Sequence, residues 1–135
     1  MATDWQIGMK LRIRKNSLRL RLQQHEVKQL VATGAVIDET CFGTETLRCS
    51  IETSADASAL CAELTSNTIR IRVPLAAALN WANSEEVGML AEQATPAGPL
   101  LLLIEKDFAC LQPRDPALRE DDSDAFMNPN SSCGP

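Results

Sequence analysis

Residues 9–22 read Met-Lys-Leu-Arg-Ile-Arg-Lys-Asn-Ser-Leu-Arg-Leu-Arg-Leu. Apolar and basic residues alternate, break at Asn16-Ser17, and alternate again. A period of two means half-buried β-strand, because successive side chains along a strand point to opposite faces. Asn-Ser between two such runs is a tight-turn signal. A two-residue loop at Asn16-Ser17 sets Arg14 opposite Arg19 and Arg12 opposite Arg21, with Ile13 opposite Leu20 and Leu11 opposite Leu22. One face of the hairpin is then aliphatic and the other cationic. A three-residue loop would set Arg against Leu on each face, so the pattern argues against it.

Like charges directly opposite one another destabilise a hairpin. The cationic face therefore needs carboxylates from a neighbouring element, a bound anion, or open water. Residues 10–21 hold six basic side chains and no acidic one, whereas residues 105–135 hold seven acidic and three basic. The acidic run Glu120-Asp121-Asp122 with Asp124 lies in a stretch containing Pro113, Pro116 and Pro129. We expect this tail to fold back so that some of these carboxylates neutralise Arg12, Arg14, Arg19 or Arg21.

The rest of the chain repeats the opening. Residues 23–33 read as a helix with Val27, Leu30 and Val31 on one face and Gly34 as its C-cap. Strands follow at 35–42 and 46–52 around Gly43-Thr44. A second hairpin spans 60–64 and 68–73 with its turn at Ser66-Asn67, placing Glu63 opposite Arg70. Pro74 is suited to open a helix at 74–81. Two more strands follow at 87–93 and 100–105. The order strand, turn, strand, helix, strand, strand thus occurs twice, over 9–54 and 58–107. The fold class is α+β: two ββαββ repeats forming an eight-stranded, mostly antiparallel sheet or barrel with two helices. A barrel would remove the sheet edges and is the favoured form. Leu11, Ile13, Leu18, Leu20, Leu22, Leu30, Ile69, Ile71 and Val73 are the expected core.

At 135 residues the chain is read as one domain, 9–135, behind a loose leader, 1–8, with Met9 a candidate for the true start. No signal peptide is visible, and the longest apolar run, 99–104, is far too short to span a bilayer. A cytoplasmic location follows, with the five cysteines expected as thiols. The single histidine, His25, and the absence of any Cys-x-x-Cys spacing speak against a zinc site. Cys110 and Cys133, which flank the tail, are read as two unrelated thiols. The net charge of −5 and the lack of Tyr argue against nucleic acid.

Residues 9–22, the stretch Glu105-Lys106-Asp107-Phe108-Ala109-Cys110-Leu111, and Asn128-Pro129 with Cys133 resemble a small family of bacterial proteins of unknown function. The resemblance covers about 9–133 and implies that the tail, 108–135, belongs to the domain. A barrel with inward Arg and Glu is also similar to the triphosphate tunnel (CYTH-like) enzymes. Those carry Glu-x-Glu-x-Lys on a strand; here the comparable early strand has Lys-x-Arg-x-Arg, and Glu-x-Glu-x-Lys is absent.

The candidate ligand-binding residues are Lys10, Arg12, Arg14, Arg19, Arg21, Arg70 and Arg72, which suit bidentate contacts to an anion. The bland counterpart is a solvated face laced with Glu39, Glu52, Glu63 and Glu92. No Gly-rich phosphate loop, nucleophile elbow or catalytic triad spacing occurs. The expectation is a non-catalytic binding module for a small anion or an acidic protein partner, with no cofactor and no metal. A degenerate phosphohydrolase is the alternative.

Overall fold

The computed structural model describes residues 8–108. The expectations for residues 1–7, for the acidic tail and for Cys110 and Cys133 fall outside the described residues. Eight strands and two helices are described, in the order β1 (Lys10–Arg14), β2 (Ser17–Leu22), α1 (Gln24–Thr33), β3 (Ala35–Cys41), β4 (Thr46–Ser54), β5 (Cys61–Thr65), β6 (Thr68–Pro74), α2 (Leu75–Ala82), β7 (Gly88–Gln93) and β8 (Leu100–Lys106). The class is α+β.

The strands do not close into a barrel. They form two four-stranded mixed sheets, β1-β2-β8-β7 (sheet A) and β3-β4-β6-β5 (sheet B). Each sheet is two antiparallel hairpins joined through a parallel central pair, β2 with β8 and β4 with β6. Period-two alternation assigns side chains to faces but does not choose partners, so the parallel pairs were not foreseen. One cue was present: the unbroken aliphatic run of β8 is what a central strand carries.

The first hairpin turns at Lys15-Asn16, not Asn16-Ser17, with Lys15 at φ 49°. Arg12 faces Arg19, Lys10 faces Arg21, Leu11 faces Leu20 and Ile13 faces Leu18. The slip relative to expectation is two residues, so the faces survive it. Tertiary bonds fix this register: Asn16 O accepts from Leu101 N at 3.0 Å and Asn16 Nδ2 donates to Pro99 O at 2.9 Å. The second hairpin turns at Ser66-Asn67 and sets Glu63 opposite Arg70, as its pattern indicated.

The inward faces of both sheets and the two helices share one hydrophobic cluster. Leu20, Leu22, Leu102 and Ile104 come from sheet A, Ile51, Ile71 and Val73 from sheet B, Leu30 from α1, and Ala78 and Trp81 from α2. Three expected core residues depart from this. Leu11 and Leu18 are only partly buried, and Ile13 is 59% exposed. Among the described residues nothing buries the turn end of the hairpin, so its aliphatic face is fully buried only at Leu20 and Leu22. Val31 is likewise exposed.

Side-chain bonds tie the edges of the two sheets together. At one seam Gln93 does the work of a missing ladder pair: its Oε1 accepts from Ala62 N at 2.7 Å and its Nε2 donates to Ala62 O at 2.9 Å. At the other seam, between β1 and β3, Met9 N donates to Asp38 Oδ2 at 2.7 Å.

Candidate functional site

The register places the seven candidate cations on two sheets rather than one. Lys10, Arg12, Arg14, Arg19 and Arg21 share the outer face of sheet A. Arg70 and Arg72 belong to the outer face of sheet B. They do not form a single anion-binding cluster.

On sheet B the cations are interleaved with carboxylates. Arg48 Nε lies 2.5 Å from Glu39 Oε2, and Arg70 Nε lies 3.1 Å from Glu52 Oε2. Glu63 Oε1 stands between Arg70 Nη1 at 3.5 Å and Arg72 Nη2 at 3.4 Å. Glu39, Glu52 and Glu63 thus play the part the bland reading gave them, which leaves Arg70 and Arg72 in a balanced surface lattice.

Sheet A is different. Across the sheet the outward rows are Lys10, Arg21, Glu105, Gly88; then Arg12, Arg19, Leu103, Leu90; then Arg14, Ser17, Leu101, Glu92. The β1–β2 half of this face is cationic, and the β8–β7 half carries three leucines, two glutamates and a glycine. Leu90 is 73% exposed and Leu101 41%. The core does not use these two leucines: it takes Leu102 and Ile104 from the opposite face of β8, with Met89 and Ala91 of β7 packed against them.

The carboxylate that compensates the hairpin was missed from sequence. Glu105 Oε1 accepts from Arg19 Nε at 2.7 Å and from Arg21 Nε at 2.9 Å. Only a parallel β2–β8 register brings it there, and sequence separation hid that pairing. Asp107 Oδ2 lies 3.1 Å from Lys10 Nζ. Arg12 and Arg14 also have partners of their own.

A cavity of about 570 Å³ opens at the β1–β3 seam, lined among others by Met9, Lys10, Asp38, Glu39, Cys41 and Cys49. Burial and the nearby Asp38 carboxylate push the Cys49 thiol up to about 12, so it is neutral and unreactive at physiological pH. Behind this seam Glu26, 3% exposed, has its pKa raised by burial, against the opposing pull of its bond to the Gln23 backbone. His25 is on the exposed side of α1. Among the described residues no group of three or more His, Cys, Asp or Glu side chains is arranged to hold a metal. No described helix is long and apolar enough to cross a membrane.

Neither the curated proteins nor the solved structures contain a match to the chain. The model of a family of unknown function, DUF7009, matches residues 9–130, so the chain belongs to that family.

Proposed function

We propose that the protein is a non-catalytic binding module that uses the outer face of sheet A to hold an anionic group on an acidic partner. The observation that carries this reading is the division of that face: Lys10, Arg12, Arg14, Arg19 and Arg21 on one hairpin, beside the exposed Leu90 and Leu101 on the other. Cations give register and on-rate to an acidic ligand, and adjacent apolar side chains give contact area. A small inorganic anion would use only the first half. An acidic peptide bearing leucine-sized side chains would use both. The ligand need not find empty arginines: it adds to, or exchanges with, surface carboxylate pairs that are individually weak.

The same reading treats 9–54 and 58–107 as two copies of one ββαββ unit. Supporting it, Arg21 faces Glu105 across one parallel pair and Arg72 faces Glu52 across the other. The copies have diverged: Ser50 and Arg48 on β4 have Leu103 and Leu101 as their counterparts on β8. That difference gives sheet A its apolar strip and sheet B its balanced charge, and it nominates sheet A for binding.

The test is fluorescence anisotropy of a labelled acidic peptide containing leucines, with polyglutamate, triphosphate and nucleotides, each with and without Mg²⁺ or Mn²⁺, as other ligands. Salt-sensitive binding of the acidic peptide, weakened separately by Arg12→Glu/Arg14→Glu and by Leu90→Asp, supports the proposal. Binding that is unchanged in both variants, or confined to triphosphate with metal, rejects it; the second result would favour the phosphohydrolase.

A further inference from the structure

We propose that Asp38 and Glu26 form a receptor for the α-ammonium group of Met9, in a form of the chain whose first residue is Met9. Such a form arises by initiation at Met9 or by removal of what precedes it. Three independent observations converge on that nitrogen.

The first is the bond itself. Met9 N donates to Asp38 Oδ2 at 2.7 Å, and the Met9 backbone also lowers the pKa of buried Glu26. Two carboxylates, one bonded to the Met9 nitrogen and one buried beside it, therefore share this corner. No Lys or Arg is ion-paired with either of them among the described residues. An amide offers them a single N–H and no charge. An ammonium offers three N–H donors and the positive charge that the corner lacks.

The second is steric. A Cβ built on Gly8 falls 2.6 Å from Asp38 Oδ2 and 3.2 Å from its carboxyl carbon. Any side chain at position 8 must push away the carboxylate that holds Met9. Glycine at position 8 leaves that carboxylate in place, and a chain that starts at Met9 does so too.

The third is the extent of the family match, which starts at residue 9, one residue before β1 begins at Lys10. A chain of residues 9–135 keeps every described strand and helix. It also keeps Met9 against the core, where its side chain packs.

The titratable groups around this corner are Asp38 on β3, bonded to the Met9 nitrogen, Glu26 on α1 with exposed His25 beside it, and Cys49 on β4; Lys10, Cys41 and Glu39, the last paired with Arg48, line the same cavity. Cys49 is a neutral thiol below its value of about 12 and adds no charge at neutral pH. His25 and Lys10 oppose an ammonium, and the two carboxylates favour it. An opposite charge at hydrogen-bond distance moves a pKa by about 1–3 pH units, from an ordinary α-amino value of about 7.7–8.0.

Two measurements decide the matter. Mass spectrometry of the protein isolated from its own cells should find Met9 as the N-terminal residue. NMR titration of residues 9–135 should show the Met9 α-amino pKa raised by about 1–3 pH units, returning toward the ordinary value in Asp38→Asn. The folded amine, with its raised pKa, stabilises the protein below the unfolded α-amino pKa and loses that effect as pH rises through the folded value. The free-amine form should therefore melt above its N-acetylated counterpart at pH 6–7, and the two should converge at high pH. The acetylated comparison needs no substitution, so it stands if Asp38→Asn fails to fold. Molecules that all begin upstream of Met9 overturn the proposal, and so does an α-amino group that titrates at its ordinary value.

Discussion

Arg21 and Glu105 are register partners on parallel strands, and Glu105 Oε1, on a side chain 13% exposed, accepts from the Nε atoms of both Arg21 and Arg19. One carboxylate thereby relieves two of the cations that the hairpin brings together. Glu105→Gln keeps the shape and removes the charge. It should cost about 1.5–3 kcal/mol, the range for hydrogen bonds to charged groups. The deficit should be larger at low salt, where the arginines repel one another without screening. Urea denaturation at low and high ionic strength checks this; equal stability of the two proteins at low salt would count against it.

The hydrophobic face of the first hairpin should be energetically lopsided. Leu20 and Ile71 are fully buried, and Leu20→Ala or Ile71→Ala should each cost about 2–5 kcal/mol. Ile13 stands on the same face and is mostly exposed, so Ile13→Ala should cost less than about 1 kcal/mol. Chemical denaturation that found the three substitutions equivalent would mean that the turn end of the hairpin is covered in solution.

Thiol chemistry should follow burial. Cys41 is exposed, Cys61 is intermediate and Cys49 is buried with its pKa pushed up to about 12. A maleimide at neutral pH should label Cys41 first, Cys61 more slowly and Cys49 only after denaturation. Peptide mapping of the time course reads the order directly. Labelling of Cys49 at the rate of Cys41 in the native protein would contradict it.

Local pattern carried the fold a definite distance. Alternation over 9–22 and 68–73 identified the hairpins and their faces, and Gly34 at φ 87° marks the helix end the sequence indicated. These signals depend on neighbours along the chain. What stayed hidden depends on distant pairing. The parallel β2–β8 contact joins residues more than eighty positions apart, and nothing in either strand names the other. With it went the role of Glu105, the separation of Arg70 and Arg72 from the sheet A cations, and the split of eight strands into two sheets. The first turn was misplaced for a related reason: Asn16 and Ser17 are both good turn residues, and the choice between registers is made by Leu101 and Pro99. Glu26 was passed over because a glutamate beside His25 in a first helical turn looks like solvated surface.

That glutamate also makes stability depend on pH. Glu26 Oε1 accepts from Gln23 N at 2.8 Å, closing the start of α1, yet burial raises its pKa above the ordinary 4.5, and the charge of Asp38 adds to the effect. The folded state therefore holds the Glu26 proton more tightly than the unfolded state does. Its ionisation penalty is absent below the ordinary value and grows as pH rises through the raised folded value, so on this account stability falls with rising pH. Glu26→Gln removes the titration and retains a side-chain oxygen that can accept from the Gln23 N–H. In the chain of residues 1–135, where Met9 contributes an amide, the variant should gain on the parent as pH rises from about 4 to 7. Denaturant midpoints across that range measure the gain. A relative stability that instead declines toward neutral pH would show that the charge-assisted bonds from Gln23 and Met9 outweigh the cost of burying the carboxylate.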